Sequence, residues 1–294
     1  MIKTVIITNY RGESLTLDLA NPYSSGYAVL SITGLGPNKA TINTDDATTS
    51  DGSVYNSARV NSRNIVLKLK LMGSDAEEIE KLRQKTYKFF PLKKSLTFEI
   101  ITDQRHARIL GYTESNEPDI FSDKETAQIS IVCPYPFFSR VDVGNSVMFY
   151  GEEPLFEFPF ENEGSEPVIE FGAVHLVTEA NVVYSGDKET GIVITIHALG
   201  EAKNISIFNL DTNESMKITG TLLIGDDIVI STVKNSKYVR LLRDGMYSNI
   251  LNRVDKNPDW FELRKGDNAF AYTAEEGIRN LEFRIGFDIL YEGI

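Results

Sequence analysis

Only one stretch of this chain carries a sustained helical period; almost everything else is short runs of β-branched and aromatic residues broken by Gly, Asn, Asp or Pro. Such runs bury one face of a pleated strand, and the breakers supply the turns between strands, so the pattern predicts a mainly β protein. In the first half the runs fall at residues 2–32, 64–72, 96–101, 107–113 and 126–133, and the helix lies between 74 and 91. Ser74 and Glu77 offer a capping box, and Asp75, Glu77 and Glu78 suit the positive end of the helix dipole. Ile79, Leu82, Thr86 and Phe89 fall on one face, and Pro91 stops the run after about 22 Å of helix. Beyond residue 140 the runs recur at the spacing of about 8–12 residues expected of a sandwich, with no helical period among them. The prediction is an N-terminal β-sheet domain carrying one helix, followed by an all-β sandwich.

Residues 129–139 divide the two. This stretch alternates, then runs apolar, and Pro134 and Pro136 remove two ladder donors, so a strand ends there. Residues 1–139 hold 16 Lys+Arg against 16 Asp+Glu, whereas residues 140–294 hold 14 against 26, so the whole net charge of −12 lies beyond the division. Two domains, 1–139 and 140–294, follow from the shift in charge and pattern together. The acidic balance, with no basic cluster, excludes a general nucleic-acid or anionic-membrane binder. No run of 18 apolar residues and no signal-like N-terminus occurs, so synthesis and folding in a cytoplasm are expected. The single cysteine, Cys133, allows no internal disulfide and reads as a buried, inert thiol.

Residues 34–63 break the β pattern. Gly34, Gly36 and Pro37 open a polar, Gly-punctuated excursion that cannot supply a core. Loops of this length are uncommon inside compact domains, and the residues alone leave two readings open: a disordered surface loop, or a functional lid or assembly arm. For an arm, Arg59 and Arg63 at the returning end could fork onto a neighbour's carboxylates or carbonyls, while Asp45, Asp46 and Asp51 keep the tip solvated.

Catalytic and metal signatures are wanting. His106, His175 and His197 are far apart and make no metal-ligand spacing; His106 reads as a turn residue, and the other two as satisfied core or edge residues. There is no nucleophile elbow or phosphate loop, and the acidic run at 45–52 lacks the spacing and closing Glu of a calcium loop. Residues 152–170, with seven Glu and no Lys or Arg, read as a charged edge strand. Paired carboxylates of a glycosidase remain possible among so many acids. Trp260 and Phe261 have the aromatic content of a glycan platform, although a lone Trp on a strand mostly fills volume, so Trp260 reads as a core plug.

In order along the chain, GLGPNKATIN (34–43), DGSVYNSARVNSRNIVL (51–67), the single helix, GYTESNEPDIFS (111–122) and ISIVCPYPFF (129–138) resemble the N-terminal half of phage distal tail proteins, the baseplate hub components of long-tailed phages of Gram-positive bacteria. ISIFNL (205–210), DTNESMKI (211–218), GDDIVIST (225–232), KYVRL (237–241) and NPDWFELRKGDN (257–268) are similar to that family's C-terminal segments. One departure is a Ser at position 231, after Asp226 and Asp227, where the pattern has an acidic residue.

The resemblance implies a structural virion protein of the tail tip, with no catalytic residues and no cofactor. It implies that the first domain, an N-terminal β-sandwich with one flanking α-helix, forms a homohexameric ring joined to the tail tube protein and a tail-associated hub protein. It implies a galectin-like second domain that serves as a docking platform, which could hold receptor-binding proteins; residues 140–294 leave no room for a further module. Against it stand a glycan-binding module that contacts the host cell surface and a β-sandwich glycosidase; both predict a monomer or dimer, whereas a ring protein predicts a closed higher oligomer.

Overall fold

The computed structural model describes residues 1–46, 51–122, 124–141, 145–149, 151–153, 173–175 and 178–294. They form two compact units, Met1–Asp142 with Leu290–Ile294, and Val143–Ile289.

The first unit contains β1 (Ile2–Asn9), β2 (Ser14–Asp18), β3 (Tyr27–Thr33), β4 (Ala40–Asp46), β5 (Ser53–Val60), β6 (Arg63–Leu71), helix α1 (Ala76–Phe89), β7 (Ser95–Thr102), β8 (His106–Asp119), β9 (Thr126–Cys133) and β10 (Phe138–Arg140). An antiparallel sheet runs β2-β1-β7-β8-β9-β6-β3. The alternation read from the sequence sets its inward face. Ile65, Leu67 and Leu69 of β6 and Ile129 and Ile131 of β9 are fully buried, and β6 pairs β9 with Leu67 opposite Ile129. Burial of each such side chain contributes about 1.5–3 kcal/mol. Asp75 caps α1 by accepting from the Glu78 amide, one residue later than expected, while the Ser74 amide and hydroxyl donate to Glu78 Oε2. Thr86 and Phe89 of the predicted face are buried. Tyr27 of β3 donates its hydroxyl to the Leu82 carbonyl at 2.8 Å, and burial raises its pKa to about 12.

The long strand β8 is shared. Residues 106–112 pair with β7, and residues 112–119 pair with β9 past a bulge at Thr113/Ser115. After Pro134 and Pro136 end β9, β10 takes up the part of β8 that β9 leaves, with Ser139 opposite Arg108. Residues Leu290–Tyr291 then pair with β10, Tyr291 opposite Phe138. The sequence division at 139/140 assigns residues 290–294 to the second domain; in the structure they belong to the first unit, because β10 offers an edge that Leu290 and Tyr291 fill.

The second unit contains β11 (Asn145–Met148), β12 (Gly151–Glu153), β13 (Ala173–His175), β14 (Glu179–Asn181), β15 (Thr190–Ala198), β16 (Ala202–Asn209), β17 (Glu214–Leu222), β18 (Asp227–Ser231), β19 (Tyr238–Arg243), β20 (Met246–Asn249), β21 (Glu262–Leu263), β22 (Ala269–Glu276) and β23 (Leu281–Phe287). Leu290–Tyr291 is β24. One sheet runs β11-β23-β15-β18-β19-β20 and a second runs β14-β22-β16-β17. Between them Tyr272 of β22 stacks on Phe283 of β23, ring centroids 3.8 Å apart, and Phe149 packs edge-on to Tyr272 at 5.7 Å. The mainly β class with a sandwich-like arrangement and, among the described residues, one α-helix is thus as expected. No helix of the described residues is long and apolar enough to cross a membrane.

Candidate functional site

The excursion at 34–63 is a β-hairpin. Among the described residues β4 and β5 pair only with each other, through a ladder with Ala40 opposite Val60, Ile42 opposite Ala58 and Thr44 opposite Tyr55. Cross-strand partners share a face, so Ala40, Val60, Ile42, Ala58 and Tyr55 form an apolar stripe. Thr41, Arg59, Asn43 and Ser57 lie on the other face. The apolar stripe stands in solvent, with Ile42 and Tyr55 each 63% exposed and Val60 39%; Val54, 61% exposed opposite Asp45, adds one apolar side chain to the other face. Asp45, Asp46, Asp51 and Arg59 are exposed with it. The run at 45–52 weighed as a calcium loop falls partly at residues 47–50, outside the described residues.

The root of the hairpin is built very differently. Gly34, at φ +82°, admits no side chain: an added Cβ would stand 2.1 Å from the Asn64 carbonyl oxygen. Asn38 Nδ2 donates to the Asn61 carbonyl at 2.6 Å, and the Thr41 hydroxyl to Asn61 Oδ1 at 3.0 Å. Arg63, expected to reach a neighbouring molecule, is only 1% exposed and forks onto its own chain instead. Its Nε donates to the Pro136 carbonyl at 2.7 Å, one terminal nitrogen to the Gly34 and Gly36 carbonyls at 2.6 Å each, and the other to the Glu292 carbonyl at 2.6 Å. Its Cζ lies 4.7 Å from the Phe138 ring centroid. Burial lowers the guanidinium pKa, as it must for a cation taken out of water, and the four carbonyl dipoles replace its hydration. The guanidinium is a clamp rather than a docking group, because position 63 has the inward phase of Ile65 and Leu67.

The aromatic pair at 260–261 divides its roles. Phe261 is fully buried, edge-on to Phe270 at 5.7 Å, and takes the core place assigned to Trp260. Trp260 is half-buried, with Lys237 Nζ 5.0 Å from its ring centroid. It fails as a core plug because both residues precede β21, and the alternation that buries Leu263 there continues back onto Phe261, not onto Trp260.

The histidines remain apart. His106 opens β8 rather than sitting in a turn, its Nε2 3.2 Å from Glu99 Oε2; His197 lies in β15 with Nδ1 2.7 Å from Asp227 Oδ1; His175 ends β13. Among the described residues no three His, Cys, Asp or Glu are placed to hold a metal ion. Burial raises the Cys133 thiol to about 11, far from a thiolate at neutral pH. Residues 154–170 of the acidic stretch lie outside the described residues. Sequence reasoning missed the role of Asp226, which is 2% exposed, accepts from the Leu223 amide at 2.7 Å and pairs with Arg243 through two hydrogen bonds of 2.8 and 2.5 Å.

Fold and site together define a mainly β protein that displays a self-paired hairpin with an uncovered apolar face. Residues 185–287 match the family model described as siphovirus-type tail component, C-terminal domain. The fold is similar to that of the SPP1 Dit (gp 19.1) crystal structure, a paradigm of the hub adsorption apparatus in phages infecting Gram-positive bacteria, at a TM-score of 0.66 and 12% identity over 98% of this chain and 99% of that one. Chains of the phage P2 baseplate in its activated conformation are more distant: 0.47 and 14% with Ca over 97% and 98%, and 0.47 and 14% with Sr over 96% and 97%. No curated protein matches the chain. The likeness thus rests on sequence over residues 185–287 and on fold over nearly the whole length.

Proposed function

We propose that this chain is a structural component of a phage tail tip, in which first units associate into a ring, on the family expectation a hexamer, and the β4–β5 hairpin bridges neighbouring copies. The match of residues 185–287 to a siphovirus-type tail component carries the tail assignment. The uncovered apolar stripe carries the bridging role: Ile42 and Tyr55 stand in water in the single chain, and a surface of this kind gains stability only when a partner covers it. The tail tube protein and a tail-associated hub protein are the proposed axial neighbours. The second unit is the proposed platform for receptor-binding proteins, and the tail tip of the virion is the proposed location. The chain works by docking and not by catalysis.

Light-scattering mass across a range of concentrations tests this directly. The full chain is expected to form a closed higher oligomer, or one that grows with concentration, and a chain with residues 36–61 replaced by a short Gly-Ser linker is expected to lose it. If the shortened chain closes into rings as readily as the parent, the hairpin is not the bridge.

A further inference from the structure

Residues 290–294 do more than add a strand to the first unit. Besides the β10–β24 pairing, they meet the hairpin root at three further points. Arg63 donates to the Glu292 carbonyl at 2.6 Å, and the Ile294 amide donates to the Leu35 carbonyl at 3.1 Å. The Gly293 backbone lies so close to residues 35 and 36 that an added Cβ would be 3.1 Å from the Leu35 carbonyl oxygen and 3.2 Å from Gly36 Cα. Arg105, in the turn between β7 and β8, fastens the segment from its other side, donating to the Gly293 carbonyl at 2.6 Å and lying 4.2 Å from the Tyr291 ring centroid.

The same Arg63 holds Gly34 and Gly36, where the chain leaves for the hairpin, and it stands three residues beyond the end of β5, where the chain returns. One buried cation thus ties the outgoing chain at Gly34 and Gly36, the Pro136 carbonyl and a segment made 229 residues later into one node. Without residues 290–294 the guanidinium keeps three of its four carbonyl partners, and Leu35 and Gly36 lose the backbone packed against them.

We propose that residues 290–294 are a latch for the hairpin root, so that the hairpin acquires its fixed direction only when the chain has been made through residue 294. In order of synthesis most of the first unit precedes the second unit, and residues 290–294 follow it. A chain truncated anywhere in the second unit would therefore carry a first unit with a loose arm, ill-suited to compete for places in an assembly. This deepens the bridging role given to the hairpin, but it concerns the single chain and is read without any ring.

Hydrogen exchange on the monomeric chain at low concentration tests it, comparing the parent with a chain ending at residue 289 and with the full-length Gly293→Val variant. Amides of residues 34–43 and 58–63 are expected to exchange at least about tenfold faster in both variants, while those of residues 65–69 in β6 keep the parent rate. A synthetic peptide of residues 288–294 is expected to restore protection to the truncated chain. Unchanged exchange at the root would overturn the latch. So would exchange that rises equally in β6, since the segment would then be a general stabiliser of the sheet. In either case the ring reading would stand untouched, since mass measurement on the full chain decides that separately.

Discussion

The Arg63 guanidinium and the Glu292 carbonyl are joined by a 2.6 Å hydrogen bond although 229 residues separate them. A charged donor at 1% exposure is tolerable only if carbonyl dipoles replace its water, and here Gly34, Gly36 and Pro136 complete the set.

Arg63→Ala would leave four carbonyls facing a cavity, so we expect the first unit to lose about 3–5 kcal/mol, read from its urea transition. Arg63→Lys is expected to recover less than half of that, because a point-charge ammonium cannot span a planar fork. A loss under about 1 kcal/mol for the Ala variant would mean the node is not stabilising.

How much of this was legible depends on whether a residue's partners are near it in sequence. β9 was readable residue for residue, because Ala127, Ile129, Ile131 and Cys133 alternate toward a core. β8 was readable only to Thr113, since residues 114–119 are held by the ladder to β9 and carry no apolar alternation of their own. β22 carries no period-2 signal, because Phe270, Ala271 and Tyr272 are buried consecutively. The hairpin hid its strands behind Thr, Asn and Asp, residues that serve turns equally well. Arg59 and Arg63 look alike in a polar run. The signal that separates them was present, however, for Arg63 shares the phase of Ile65, Leu67 and Leu69. What no pattern could supply was Glu292 as its partner.

The second unit offers a contrast within one dipeptide. Phe261→Ala is expected to cost about 3–5 kcal/mol by opening a cavity beside Phe270. Trp260→Ala is expected to cost about 1 kcal/mol, mainly its cation–π contact with Lys237. Glycan-array binding that disappears in the Trp260 variant while its thermal midpoint holds would move the second unit toward the glycan-binding reading.

Asp226 ties part of that unit's stability to pH. The hydrogen bonds from Arg243 hold its carboxyl below the ordinary carboxylate range. With a folded pKa below the unfolded value of about 3.9, the pair's contribution is fully present above that value and is lost as pH falls through the folded pKa. Arg243 is 38% exposed, so water screens part of the attraction. Asp226→Asn is expected to cost about 1–3 kcal/mol at pH 7 and to flatten the decline in stability below about pH 4, followed by denaturant midpoints from pH 2 to 7. An undiminished acid slope in the variant would assign that limb to other carboxylates.

The apolar stripe of the hairpin separates association from stability. Ile42 and Tyr55 are 63% exposed in the single chain, so replacing them with Asp and Glu removes almost no buried surface, and monomer stability is expected to change by no more than about 0.5 kcal/mol. If a neighbouring copy covers the stripe, the same two charges must be desolvated on association, which costs several kcal/mol and moves the midpoint of assembly upward by on the order of 100-fold in concentration. The polar face provides the control: Asn43 and Ser57 form the opposite side of the same ladder, and Ser57→Asp is expected to shift assembly by less than about threefold. Sedimentation across concentrations measures both. Equal shifts from the two faces would show that added negative charge, and not the apolar stripe, governs association, and the bridge would then have to be sought on the sheet edges or on α1.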